Sequence, residues 1–492
     1  NTIITPEPPL LILGVNNQGP TLIVGGKIYQ GLVKLSPRLE PLPELAKSWS
    51  VSPDGRVYTF NLQDNITFHD GRPCTAEDVV FSVMKFHMEV NPRARESLDR
   101  IEKAGGADPK PVVLPRKAPF EPFLLIFDVT ACAIVPKHVY DGTDYRNNPN
   151  NNTPIGTGPF KMAEWQRGNF IRLVRHEQYW KPGQPYLDGI IYRVVPDSQS
   201  RALALQTGQV RRGRFNGRGA FDVRRCQARR SRAVATTGWE LVSPLSWIEI
   251  NHRVKPLDDA RFRRAMAHAV DRGFIAQRLW FGVGRPATGP IASTTRFFDP
   301  AVKMPDFNPR EAQAILDGMG LRPNADGVRA SIKMMQIPYG EVWNRLSEYL
   351  RQALRQVGIA VELESTDVAG WVRRLSNWEF ETTINFVYQW GDPTLGVERT
   401  YVSSNIKKVA FTNTAGYTNP EVDKLFEQAR DEAEAEKRRV LFSRLQKVLV
   451  EDMPLVWLME LAFPTIHDRR LRNVITTGTG VHASFDDVFF AS

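Results

Sequence analysis

Histidine beside aspartate can carry acid–base chemistry, and the chain places such a pair at His69-Asp70, ahead of Gly71. A His-Asp-Gly turn between an extended and a helical segment accounts for the pair as local structure, and no motif supplies a nucleophile next to it. Other reactive constellations are missing from the 492 residues. The eight histidines form no HExxH pair, there is no GxSxG elbow or P-loop, and Gly282-Val283-Gly284 lacks the third glycine of a dinucleotide fingerprint. The sequence therefore predicts no catalytic residue, no metal site and no cofactor. Binding chemistry is better represented. Val387-Tyr388-Gln389-Trp390-Gly391-Asp392-Pro393 follows a strand-like run and ends at a proline, where a chain leaves a sheet and can face a cleft. Trp390 there offers an apolar wall or a cation–π face, although a core tryptophan beside an aspartate that caps the turn fits the same residues.

The elements that must position these residues follow from periodicity. Val57-Tyr58-Thr59-Phe60-Asn61-Leu62 alternates like a half-buried strand after the Pro53-Asp54-Gly55 turn, and a second strand is expected to end at Phe68. Thr75 with Asp78 reads as a capping box ahead of the Val79–Met84 apolar run. Strands are expected at 31–35 and 190–195, a hairpin over 160–174, and a helix over 198–206. Leu241–Asn251 reads as an extended crossing into a helix at 261–279. Alternation there places Trp247 and Asn251 on one face. Helices at 309–318, 341–356 and 369–377, with strands at 359–363 and 381–387, give the alternation of an α/β lobe, in which Trp371 opens a helix. A helix over 420–452 precedes a second crossing at 455–459.

Length, charge and cysteines bound the class. The chain exceeds the roughly 250–300 residues at which single cores stop growing, so two or three domains are expected. Apolar residues make up 42% and charged residues 24%, and no run of about 20 apolar residues could span a membrane. Asn1 is an odd initiator, so a mature or trimmed product with its signal peptide removed is expected. Cys74, Cys132 and Cys226 form no metal cluster; a bridge between Cys74 and Cys132 is permitted but not chosen by sequence. Arg211 to Arg232 holds nine arginines against the single Asp222, which is eight of the chain's ten net positive charges. It contains only Phe215 and Phe221 as aromatics, so it fits a variable or mistranslated exposed segment, or a polyanion-binding patch.

Several of these stretches resemble one family. Leu45–Lys85 is similar to the signature of bacterial extracellular solute-binding protein family 5, the receptors of peptide- and nickel-type ATP-binding-cassette (ABC) importers. The resemblance continues in Pro154-Ile155-Gly156-Thr157-Gly158-Pro159-Phe160, Leu187–Tyr192, Asp258–Met266 with Ala269–Arg272, and Asn419–Leu425, in family order. It implies an α/β chain with a two-lobed periplasmic-binding-protein-like fold of the large type, with an extra subdomain in the first lobe. The expected segments are 1–249 for that lobe, 250–456 for the second, and 457–492 returning to the first, with hinge residues Ile248, Ile250 and Trp457. Implied is a periplasmic monomer that encloses an oligopeptide or similar small polar ligand between its lobes and delivers it to an importer's membrane permease. An oligosaccharide, an amine or a nickel complex is the alternative ligand. Neither catalysis nor nucleic-acid binding is expected. In peptide-binding members an aspartate of the corresponding loop takes the ligand's ammonium, a role that falls by motif on Asp392; Tyr29 and Asn17 lie in a region that supplies ligand contacts in relatives. Trp247, Asn251 and Trp371 complete the expected ligand wall.

Overall fold

The computed structural model describes residues 1–105, 111–214 and 231–491. The chain forms two compact units, Asn1–Glu240 with Pro464–Ser492, and Leu241–Phe463. Chain passages between them fall at residues 240–241 and 463–464.

The first unit is built on a seven-stranded sheet in the order Arg232–Ala235, Thr465–Asp468, Arg212–Arg214, Thr2–Ile4, Gly189–Val194, Phe170–Arg175, Phe160–Gln166. The returning C-terminal segment thus supplies a strand between two that flank the arginine-rich stretch. Arg212 and Arg232 are buried there, against the expectation of an exposed segment, while Arg211 is exposed; Arg232 donates to the carbonyls of Leu205 and Val210. Its centre, including Cys226, lies outside the described residues. A separate three-stranded sheet, Ala46–Val51, Val57–Leu62 and Val112–Pro115, belongs to the same unit. The strand expected to end at Phe68 is instead a turn held by an isolated Thr67–Pro73 bridge. The capping box is present: the Asp78 carboxylate accepts the Thr75 amide at 2.9 Å at the start of helix Ala76–Phe81. Gly156 and Gly158 sit where a Cβ would lie 2.0 Å from the Ile28 carbonyl oxygen and 2.5 Å from that of Lys27, so only glycine lets this loop close on the end of helix Gly19–Ile28. Cys74 and Cys132 are free thiols.

The second unit carries a six-stranded sheet in the order Arg285–Pro286, Val456–Glu460, Leu245–Ile250, Thr382–Val387, Ala330–Met335, Ile359–Glu364. The last three are mutually parallel and joined through helices; two of them match the strands expected at 359–363 and 381–387, and Ala330–Met335 was not expected. Helix Glu341–Gln356 buries Val342, Trp343, Leu346, Leu350, Ala353 and Leu354, the one-sided apolar stripe that drives a helix onto a sheet. The segment read as one helix over 420–452 is two, Pro420–Asp431 and Ala435–Asp452. Ile248, Ile250 and Trp457, expected as hinges, are fully buried in two adjacent central strands of this sheet.

Candidate functional site

Parallel strands bring successive loops to one edge of a sheet, and crevices at the carboxyl ends are where such sheets bind ligands. In the second unit those ends are Met335, Glu364 and Val387. Phe386 and Tyr388 share one side by the two-residue period of the strand, and the loop after Met335 brings Tyr339 to meet them. The rings form a continuous row. Trp343 stacks on Phe386 with centroids 5.4 Å apart and planes 10° from parallel, Tyr339 lies 6.0 Å from Phe386, and Tyr388 lies 5.5 Å from Trp390, edge to face. Tyr339 is also 6.0 Å from Trp371, which lies 6.0 Å from Phe411. Tyr339, Phe386, Tyr388 and Phe411 are only half-buried, so the row presents an open aromatic face. Burial, and then the neighbouring Tyr388, raise the Tyr339 phenol above its ordinary range, which keeps it a neutral hydrogen-bonding group. Beside it, the Ser365 hydroxyl donates to Gln336 Oε1 at 2.7 Å, marking a polar border at the ends of two strands.

The loop that carries Tyr388 and Trp390 is tightly fixed. Trp390 (φ 53°) and Gly391 (φ 76°) are both left-handed, a conformation that costs a bulky residue energy unless its surroundings hold it. Gln389 is buried and braced, accepting from the Ala292 amide at 2.8 Å and the Thr295 hydroxyl at 2.9 Å while donating to the Pro290 carbonyl. A Cβ on Gly396 would lie 2.4 Å from the Gln389 backbone, so the short helix Pro393–Gly396 packs directly under the loop.

Asp392 does not face a ligand. It is 0% exposed and caps that helix, accepting from the Thr394 amide at 3.0 Å and hydroxyl at 2.8 Å. Both its oxygens also accept from Arg438, at 2.9 Å each, and Arg438 is equally buried. The carboxylate expected to hold an ammonium is spent on an internal guanidinium, the stronger fit for a planar, two-pronged donor. Trp247 is likewise corrected: it is 1% exposed and its indole donates to Glu249 at 2.6 Å. Glu249 also accepts from Asn385 and Thr414, and burial raises its carboxyl despite these donors. Asn251 is buried and ties the Trp378 and Phe380 carbonyls, at 3.1 and 2.8 Å. Trp371 is fully buried, its indole donating to Thr383 at 2.9 Å, so it backs the aromatic row from inside. Trp390 alone of the expected second-lobe residues joins the row. Tyr339, Phe386 and Tyr388 were not singled out by sequence. The Pro338-Tyr339-Gly340 turn after a strand was the available signal, and Tyr388 lay within the run already noted.

In the first unit, Tyr29 is buried and lines a small recess of about 40 Å³, partly open to solvent, with Gln30, Glu44, Asp128 and Asp486. Lys181 joins Glu44 at 3.1 Å and Asp486 at 2.5 Å there. Asn17 is half-buried and brackets its own loop, accepting from the Gly14 amide and donating to Asn91, so it is held structurally. His69 is not an acid–base group. Its Nδ1 accepts the Gly156 amide, its Nε2 lies 2.9 Å from the Gly158 carbonyl, and burial pulls it down to about 3. Asp70 contacts His138 instead, at 2.7 Å. Among the described residues, no group of three histidines, cysteines or acids could hold a metal ion, and no helix is long and apolar enough to cross a membrane.

The profile of the bacterial extracellular solute-binding proteins, family 5 (middle region), matches residues 40–408. The chain belongs to this family. It is therefore a solute-binding protein of the ABC-importer type, with the α/β, two-lobed periplasmic-binding-protein fold. Among similar proteins is Protein XP55 of Streptomyces lividans, 28% identical over 459 residues, which cover 91% of this chain and 81% of that one. The glutathione-binding protein GsiB of Escherichia coli K12 is 27% identical over 478 residues, 94% of this chain and 89% of GsiB. The solved structure of the ABC transporter-associated periplasmic binding protein DppA from Helicobacter pylori, in complex with the peptide STSA, superposes with a TM-score of 0.83. The match covers 100% of this chain and 98% of DppA at 22% identity, which shows a shared fold.

Proposed function

We propose that this family 5 protein is a periplasmic receptor for short peptides or peptide-like solutes, which it hands to the membrane permease of an ABC importer. The observation that carries the reading is the open aromatic row at the carboxyl ends of the parallel strands, Tyr339–Phe386–Tyr388, with Trp390 buried against Tyr388. Ring faces accept apolar side chains and peptide planes of many kinds, and the bordering Gln336 and Ser365 suit backbone amides. The protein acts as a binding receptor and not as an enzyme. The similarity to GsiB and to peptide-bound DppA supports a peptide-class ligand.

Thermal-shift screening followed by titration calorimetry tests it. Glutathione, di- to pentapeptides, neutral oligosaccharides and nickel–histidine are the panel. A ligand at 100 times its dissociation constant adds about 2.7 kcal/mol of apparent stability, which a melting scan resolves. Stabilisation by glutathione or the peptides is the expected result; stabilisation by the sugars alone would replace the ligand class.

A further inference from the structure

The loop that presents Tyr388 and Trp390 joins a strand to a helix of only four residues through two successive left-handed residues, and it is braced at Gln389. A second hold comes from a distant helix. Arg438, near the start of helix Ala435–Asp452, is 0% exposed, donates to the Ala429 carbonyl at 2.9 Å and grips Asp392 with both terminal nitrogens. Its guanidinium lies 4.9 Å from the ring centre of Phe297 and 5.4 Å from that of Phe442, so apolar packing fixes its plane. Arg296 adds to this from a third segment, its amide donating to the Gly391 carbonyl and its guanidinium 3.6 Å from Asp392.

We propose that the Asp392–Arg438 pair is the positioning element of the binding surface, setting the angle of the buried Trp390 and so of Tyr388, which packs on it and meets the ligand, and that neither Asp392 nor Arg438 touches the ligand itself. This rests on the aromatic row being the ligand face. A two-pronged ion pair fixes orientation as well as distance, which a single point charge does not. Lysine at position 438 would keep the charge and lose the geometry.

The test uses the full chain, with Ala-Phe-Ala and Ala-Ala-Ala as probes and near-ultraviolet circular dichroism as a second readout. Each protein is compared with its Trp390→Phe counterpart, so that the difference spectrum isolates Trp390. Arg438→Lys is expected to change the Trp390 difference spectrum and to weaken Ala-Phe-Ala about tenfold, with a smaller loss for Ala-Ala-Ala. The double variant Asp392→Asn/Arg438→Gln, a neutral pair of similar shape, is expected to recover part of both signals, a coupling that independent sites do not show. A lowered melting temperature with the Trp390 spectrum and the ratio of the two affinities unchanged would overturn the proposal and leave the pair purely structural. If the wild type binds neither peptide, the ligand reading fails, while an unchanged Trp390 spectrum in Arg438→Lys still refutes the positioning role on its own.

Discussion

Replacing Asp392 with asparagine separates a structural carboxylate from a ligand-binding one. The substitution keeps the shape and the acceptor for Thr394 but removes the carboxylate charge that the Arg438 guanidinium grips, in a place where both side chains are 0% exposed. Removing one partner of a buried ion pair costs about 3–5 kcal/mol, because the remaining charge stays desolvated. Asparagine retains one acceptor oxygen, which favours the lower end. For a unit of this size each kcal/mol moves the midpoint by about 2–4 °C, so a fall of about 10 °C is expected in a melting scan. Calorimetry then completes a cycle with a free and an N-acetylated tripeptide. An aspartate that held the ligand's ammonium would lose about 1.5–3 kcal/mol toward the free peptide and nothing toward the acetylated one. The internal ion pair predicts that the variant changes the two affinities by the same factor. A preference for the free peptide that disappears in Asp392→Asn, with the midpoint unmoved, would refute the reasoning.

Tyr388→Ala removes a half-buried ring from the aromatic row and should weaken a phenylalanine-containing tripeptide by about 1 kcal/mol beyond its effect on trialanine, measured by calorimetry; Trp371→Phe, which loses the bond to Thr383 and leaves a cavity at a fully buried site, should lower stability by about 1–3 kcal/mol and leave that difference intact. Burial pushes Asp128 up to about 6, against roughly 3.9 in an unfolded chain, so its contribution to stability is full below about pH 4 and lost as the pH rises through about 6. Asp128→Asn should therefore gain on the wild type across that window, by about 3 kcal/mol above pH 6, in denaturant titrations at several pH values; a flat difference would contradict it. His87, which burial pulls down to about 4, acts in the opposite sense over part of the same range, so the comparison must be between variant and wild type and not between pH values. Small-angle scattering should show a smaller radius of gyration on saturation with a bound peptide, with the chain turning about residues 240–241 and 463–464; an identical curve would exclude closure as the response.

Much of the second unit was legible because its signals are local. Asn308 before Pro309, and Gly318 near the far end, bound one helix, and the apolar stripe of Glu341–Gln356 fixes another. The break at 432–434 was hidden, since Glu-Ala-Glu continues a helical composition and no glycine or proline announces the interruption. Asp271, which caps the turn at Arg272–Phe274, was a visible sign that the helix expected over 261–279 would stop at Ala269. The site was less readable for a physical reason. Whether Asp392 meets a ligand or an arginine 46 residues along depends on tertiary packing, and both uses favour the same residue in the same loop. Trp247 and Trp371 look like ligand walls by type, yet each indole finds an internal acceptor, Glu249 or Thr383. Tyr339 and Phe386 became candidates only when the parallel register, Met335 opposite Thr383, set the loop after Met335 beside the last residues of Thr382–Val387.

The most direct test of the account is calorimetric titration of the wild-type chain, and of Tyr388→Ala, with glutathione and short peptides. One-to-one, saturable binding of at least one of them by the wild type, weakened at least fivefold in the variant whose fold remains intact, is the predicted result. Saturable peptide binding that is indifferent to Tyr388 would contradict the placement of the site, and heat from none of these ligands would contradict the peptide-class reading itself.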